Sequence, residues 1–240
     1  VDKENPNKEE QIAMKRFFSL AAAALMALLV LTLFFSCSPI NLYTVNMGYL
    51  PPEGSAATSA RAVSVPITVA EFTDARDMDD TMVIGTVVLS DGKTIPVLPK
   101  YLRPVNAVTD GIRKCLSAEG YSLSPETPAW NLQSNTIEKQ WGTVLIGGSI
   151  DRLEVVCQKD SVKKTYRTDV KLTIVFADVK GARIISTMET AATSSLVHVR
   201  FSEELLGQQI SEALSKAIRQ VCGDGKTIPK ILEQIAKKQE

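Results

Sequence analysis

The chain has 240 residues, 45% of them hydrophobic, and its 27 Lys and Arg are balanced by 27 Asp and Glu. Zero net charge argues against general nucleic-acid binding, which needs a positive surplus to displace counterions. His198 is the single histidine, and Cys37, Cys115, Cys157 and Cys222 show no CxxC pairing, so neither a zinc site nor another cofactor is expected.

Residue 1 is Val, and Met14 is followed by Lys15, Arg16 and an uncharged run of 19 residues, Phe17–Phe35. Lys8-Glu9-Glu10 is encodable by a purine-rich stretch suited to a ribosome-binding site. Residues 1–13 therefore read as an overcalled start, with translation expected at Met14. A basic start followed by an apolar core is the layout of a signal peptide, here 14–36. The same 19 residues nearly suffice to span a bilayer, so a permanent anchor helix is the rival reading. Cys37 favours the leader. A thiol is what accepts a diacylglyceryl group, and the small Ser36 before it admits a peptidase to the 36–37 bond. Leu33-Phe34-Phe35-Ser36-Cys37 resembles a bacterial lipobox, with Phe34 and Phe35 where the usual pattern has Leu and a small residue. The resemblance implies lipidation of Cys37 after cleavage between Ser36 and Cys37, and a membrane as the first partner. Either reading keeps Lys15 and Arg16 cytoplasmic and places residues 38–240 on the far side of the inner membrane.

Residues 37–61 carry Pro39, Pro51, Pro52, Gly54 and then Ser, Ala and Thr, and read as a lipidated, mostly disordered or extended tether. Residues 62–240 read as one domain. Val63–Phe72 alternates as a strand, with Pro66 suggesting a sheet edge. Thr73–Thr81 is an acidic loop, Met82–Leu89 a second strand, and Asp91-Gly92 the turn after it. Leu102–Glu119 is helical, with Val105, Val108, Ile112, Cys115 and Leu116 on one face and Gly120 ending it. Tyr121–Leu123 is a short strand, whereas Pro125–Gln140 has no clear period. Three long strands follow at Thr143–Cys157, Lys164–Asp178 and Arg183–Val199. Gly147-Gly148 suggests a bulge in the first, and Lys180-Gly181 makes the turn before the last. Ser202 caps a final long helix that ends at Gly223, and 229–238 forms a shorter one. This order predicts an α+β fold: an antiparallel sheet with helices packed on one face.

Several sharper readings fail on spacing. Asp-Gly-Lys-Thr-Ile-Pro occurs at 91–96 and 224–229, but Val87 and Gln220 stand where a phosphate-binding loop needs its first Gly, leaving two exposed turns. Asp74, Asp77, Asp79 and Asp80 lack the spacing of a calcium loop. No nucleophile motif accompanies His198, Ser194 and Ser195. Trp130 and Trp141 read as core or edge fillers ahead of an exposed binding surface. With Cys37 lipidated, three thiols remain and at most one disulfide is expected; Cys115 and Cys222 approach each other if both helices cover the same sheet face.

The lipobox, the strand ending Phe72-Thr73-Asp74-Ala75-Arg76, the central helix, the run Gly148-Ser149-Ile150-Asp151-Arg152-Leu153-Glu154-Val155, the hairpin through Asp178–Gly181 and the terminal helix together resemble YajG-type outer-membrane lipoproteins and the auxiliary lipoproteins of ABC-type transport systems. Similar architecture occurs in lipoprotein activators of peptidoglycan synthases. The resemblance implies a non-catalytic accessory or assembly factor of the cell envelope with an unidentified envelope protein as partner. An inner-membrane auxiliary subunit of a transporter and an envelope hydrolase are the alternatives. Ser38, not Asp, after the cysteine points to the outer membrane, facing the periplasm.

Overall fold

The computed structural model describes residues 42–52, 63–223 and 225–237. The segments read as start, leader and cleavage junction, residues 37–41 and 53–61 of the tether, and residue 62 lie outside them. A compact unit begins at Leu42. Its strands are β1 (Tyr43–Val45), β2 (Val63–Val69), β3 (Thr73–Asp74), β4 (Gly85–Val88), β5 (Thr94–Pro99), β6 (Tyr121–Leu123), β7 (Val144–Lys159), β8 (Lys164–Asp178) and β9 (Arg183–His198). Its helices are α1 (Pro104–Ala118), α2 (Glu203–Cys222) and α3 (Thr227–Lys237).

The long strand β7 organises the sheet. Along one edge it pairs in parallel first with β2, then with β3, then with β4. Along the other edge it runs antiparallel to β8 over its whole length, and β8 runs antiparallel to β9. β6 extends β2 in parallel, while β5 and then β1 extend β4. The sheet is therefore mixed, which corrects the expected antiparallel sheet. The long crossovers between β2, β6 and β7 leave room to return the chain in the same direction, and parallel pairing requires that room.

Alternation along β8 sends Val170, Leu172, Ile174 and Phe176 into a core shared with α1 and α2. Ile112, Cys115 and Leu116 of α1 and Ile210, Leu214 and Ile218 of α2 are buried there, so both helices cover one sheet face. Ser202 caps α2, its Oγ accepting from Leu205 N at 3.3 Å, and Glu203 and Glu204 occupy the first turn, where the helix dipole favours negative charge. On the opposite face Leu145, Val175, Ala177 and Val179 carry a second cluster closed by Trp130, Ile137 and Trp141. Ala177, on the face away from the helices, is buried for this reason. The aperiodic stretch before β7 is thus a covering loop with one 3-10 turn, Ser134–Thr136.

Three further expectations change. The irregularity in β7 falls between Ile150 and Arg152, not at the glycines. Gly147 and Gly148 instead admit neighbours: a Cβ would stand 2.6 Å from Trp130 Cε3 at the first and 2.5 Å from Phe72 Cε1 at the second. Of the repeated hexapeptide, Thr94-Ile95-Pro96 lies in β5, whereas Thr227-Ile228-Pro229 opens α3. Proline suits a first helical turn because its missing N–H has no partner there, and the tertiary setting decides the rest. Finally, residues 42–52 are docked on the domain. β1 adds a strand beside β5, and the chain then crosses α2.

That crossing has a simple metric. Gly48 N donates to Ser211 Oγ at 3.2 Å, Leu50 N to Ser215 Oγ at 2.8 Å, and Arg219 Nη1 to Leu50 O at 2.9 Å. A Cβ on Gly207 would meet Asn46 O at 2.5 Å. Two extended residues advance about 6.6 Å and four helical residues about 6 Å, so alternate arm residues meet every fourth helix residue.

Candidate functional site

The side chains of interest sit in four separate places, three of them holding residues singled out from sequence. The Phe72–Arg76 run is a structural pin. The Arg76 side chain is nearly out of solvent, donating from Nε to Asp74 Oδ1 at 2.8 Å and from Nη2 to Asp74 Oδ2 at 2.7 Å. Its remaining donors reach Val83 O, Leu153 O and Thr81 O. The loop after β3 is thereby tied to β7. Burial pushes the Asp74 carboxyl up, but hydrogen bonds and charge from Arg76 outweigh it and hold the group below its usual value. In the same loop Asp80 Oδ1 accepts from Met82 N, an ordinary turn contact. Among the described residues no group of three or more His, Cys, Asp or Glu is placed to hold a metal ion.

Trp130 and Trp141 are buried in the second cluster, and Trp130 Nε1 donates to Gln133 O at 2.9 Å. They border a cleft of about 460 Å3 whose polar lining includes Glu71, Thr73, Asn131 and Glu138. Because the rings are spent on the core, they fill structure as expected. His198 is exposed, with Nδ1 against the backbone of Arg200, while Ser194 Oγ donates to Gln209 Oε1 at 3.1 Å.

Cys115, Cys157 and Cys222 are buried free thiols. Cys115 of α1, Cys222 of α2 and Tyr49 of the docked arm lie in one buried cluster, and Cys222 Sγ donates to Ile218 O at 3.3 Å. The neighbouring Cys222 lowers the Cys115 thiol, opposed by burial and reinforced by Tyr49. Cys222 is raised well above its ordinary value, first by Cys115 and then by burial. Burial raises Tyr49 as well.

The fourth place was not singled out from sequence. β1 runs antiparallel to β7, so the chain enters Leu42 from the end of the sheet where β7 turns into β8. At that end Lys159 Nζ lies 3.9 Å from the centre of the Phe201 ring and 3.3 Å from Tyr43 Oη. Tyr166 Oη accepts from Ser202 N at 3.2 Å, fixing the passage from β9 to α2. Beyond these fixed groups, Val162 is 82% exposed, Val199 70%, Val197 59% and Leu42 44%. The visible signal was Val197 and Val199 alternating past the end of the buried pattern. The arm's groove, Gly207, Ser211 and Ser215 at every fourth position of α2, was legible in the same way.

No protein-family model matches the chain, and no curated protein matches it. Solved structures similar to it include a protein of family DUF330 from Xanthomonas campestris, with 11% identity, a TM-score of 0.49 and coverage of 83% of this chain and 100% of that one. Lipoprotein GNA1162 from Neisseria meningitidis is similar at 10% identity and a TM-score of 0.34, covering 62% of this chain and 94% of that one. PelC from Paraburkholderia phytofirmans is similar at 12% identity and a TM-score of 0.32, covering 64% and 88%.

Proposed function

We propose that this chain is a cell-envelope lipoprotein: a leader ending at Ser36, a lipid on the Cys37 sulfur, and a domain that binds an envelope protein rather than performing chemistry. The observation that carries the reading is the placement of Cys37. It follows a basic start and an uncharged run of 19 residues, and stands five residues before the compact unit begins at Leu42. One acyl chain holds a protein only marginally, whereas two or three hold it firmly.

The domain's own chemistry supports a binding role. Arg76 and Asp74 are spent on each other and on a loop, the three described thiols are buried, and Ser194 is bonded to Gln209. What the surface offers is the outer sheet face, where Arg152, Glu154, Arg167 and Glu189 are exposed. The outer membrane, facing the periplasm, is the proposed location, on the strength of Ser38.

Metabolic labelling with palmitate tests the anchor. The wild-type protein takes up label and loses the residues before Cys37, and Cys37→Ala leaves an unlabelled, unprocessed precursor. A Cys37→Ala protein that still matures and labels refutes the assignment. An unlabelled wild type that retains Phe17–Phe35 supports the transmembrane alternative.

A further inference from the structure

We propose that the end of the domain formed by the β7–β8 turn and the end of β9 lies against the membrane and binds a phospholipid surface carrying anionic headgroups. This rests on the chain being anchored at Cys37, whether by lipid or by the apolar run before it. Five peptide steps separate Cys37 from Leu42, a reach of about 17 Å at full extension. β7 alone, with 16 residues, runs about 50 Å. The tether is therefore shorter than the domain, and the end at which Leu42 enters is held close to the anchor while the Lys180 end is free to stand away.

The residues displayed at the near end suit that position. Val162, Val197, Val199 and Leu42 are exposed apolar side chains on a turn, the end of β9 and the entering arm. Isolated exposed valines need no explanation, but these belong to neighbouring segments beside the anchor. Lys159, Lys163, Lys164 and Arg200 lie among them, with Asp160 as the acid of the same turn. On the rim Lys93 and Asp91 pair at 2.9 Å, and Glu203 accepts from Thr44 N at 3.1 Å. Glu203 and Glu204 also face the positive end of α2, which offsets their charge. Long Lys and Arg stems lie along an apolar surface while their heads reach phosphates, and each such charge favours an anionic bilayer. The Tyr43–Phe201 contact, with ring centres 4.8 Å apart, and the Tyr166 hydrogen bond hold this end rigid beneath the exposed side chains.

The test uses the full anchored protein in vesicles containing phosphatidylglycerol, with a nitroxide at Ser161→Cys or at Lys180→Cys and a nickel chelate linked to the lipid. Relaxation is expected to be several-fold stronger at 161 than at 180. The difference is expected to shrink in Val162→Asp/Val199→Asp and in Lys163→Glu/Lys164→Glu, all substitutions at exposed or partly exposed positions that leave the core intact. Equal relaxation at the two labels, or stronger relaxation at 180, overturns the proposal. So does a label at 161 shielded from both lipid-linked and water-soluble relaxers, because that pattern means a protein covers this end. The same measurement on Cys37→Ala separates the two readings. A contrast that survives without palmitate uptake by the wild type refutes lipidation and upholds the orientation, and a lipidated protein without contrast refutes the orientation alone.

Discussion

Arg76 shows how a residue that looks functional in a sequence can be occupied by structure. Its guanidinium makes two bonds to Asp74 and reaches three backbone carbonyls, and both side chains are nearly out of solvent, 5% and 11% exposed. Removing one partner of such a pair leaves an uncompensated charge, so Arg76→Ala is expected to cost about 3 kcal/mol in urea unfolding. A loss within error of zero would show that the pair does not hold the loop. The pair also sets a pH dependence. The Asp74 carboxyl is depressed in the folded protein, so its contribution is complete above its unfolded value of about 3.9. It is lost as pH falls through the lower folded value. Asp74→Asn is therefore expected to flatten the acid side of the stability curve while lowering stability at neutral pH. An unchanged acid slope would assign that dependence to other carboxylates. Sequence placed Asp74 and Arg76 in one run but not in contact, because the Arg76 side chain is also fixed by Val83 O, in the loop before β4, and by Leu153 O, in the distant strand β7.

At the scale of elements, legibility followed the strength of the local pattern. β8 begins and ends where its alternation does, Lys164 to Asp178, and α1 and α2 declare themselves through caps, breakers and apolar stripes. β1 and β5 escaped notice. One has three residues among prolines, the other contains Pro96 and Pro99, and neither has the length that makes period 2 visible. The direction of pairing escaped as well, since alternation is the same in a parallel and an antiparallel strand. The arm from Leu42 to Pro52 was misread for a different reason. Its hydrogen bonds go to side chains of α2 more than 160 residues away, and proline-rich composition says nothing of that. Ser211→Ala/Ser215→Ala removes the acceptors for Gly48 N and Leu50 N. At about 1 kcal/mol per bond, amide exchange at these two positions is expected to quicken roughly fivefold while the core of β7 and β8 is unaffected. Unchanged exchange would mean that β1 and the buried Met47 and Tyr49 hold the arm without those bonds.

For the whole molecule, the contact between α1 and α2 links structure to compartment. Cys115 and Cys222 lie in one core cluster on helices that approach closely at Gly111 and Ile218, although more than 100 residues separate the two thiols in the chain. In an oxidising compartment such a pair closes by thiol–disulfide exchange: one thiolate attacks a disulfide of an oxidant protein, and the second thiol then displaces that protein as a dithiol. Tyr49 of the arm packs on α1 at Gly111, one turn before Cys115, so Ser211→Ala/Ser215→Ala, which loosens the arm, is expected to speed oxidation. A loop of roughly 100 residues gives ~4–5 kcal/mol in the chain-entropy account, and reduction is expected to lower Tm by roughly 10 °C. Protein from the envelope, unfolded and alkylated without reductant, is expected to show one free thiol, at Cys157. Protein lacking residues 1–36 and made in a reducing cytoplasm is expected to show free thiols at Cys115, Cys157 and Cys222. Three free thiols in the envelope form would refute the bridge, and a second intramolecular bridge would consume the Cys37 sulfur and refute its lipidation as well.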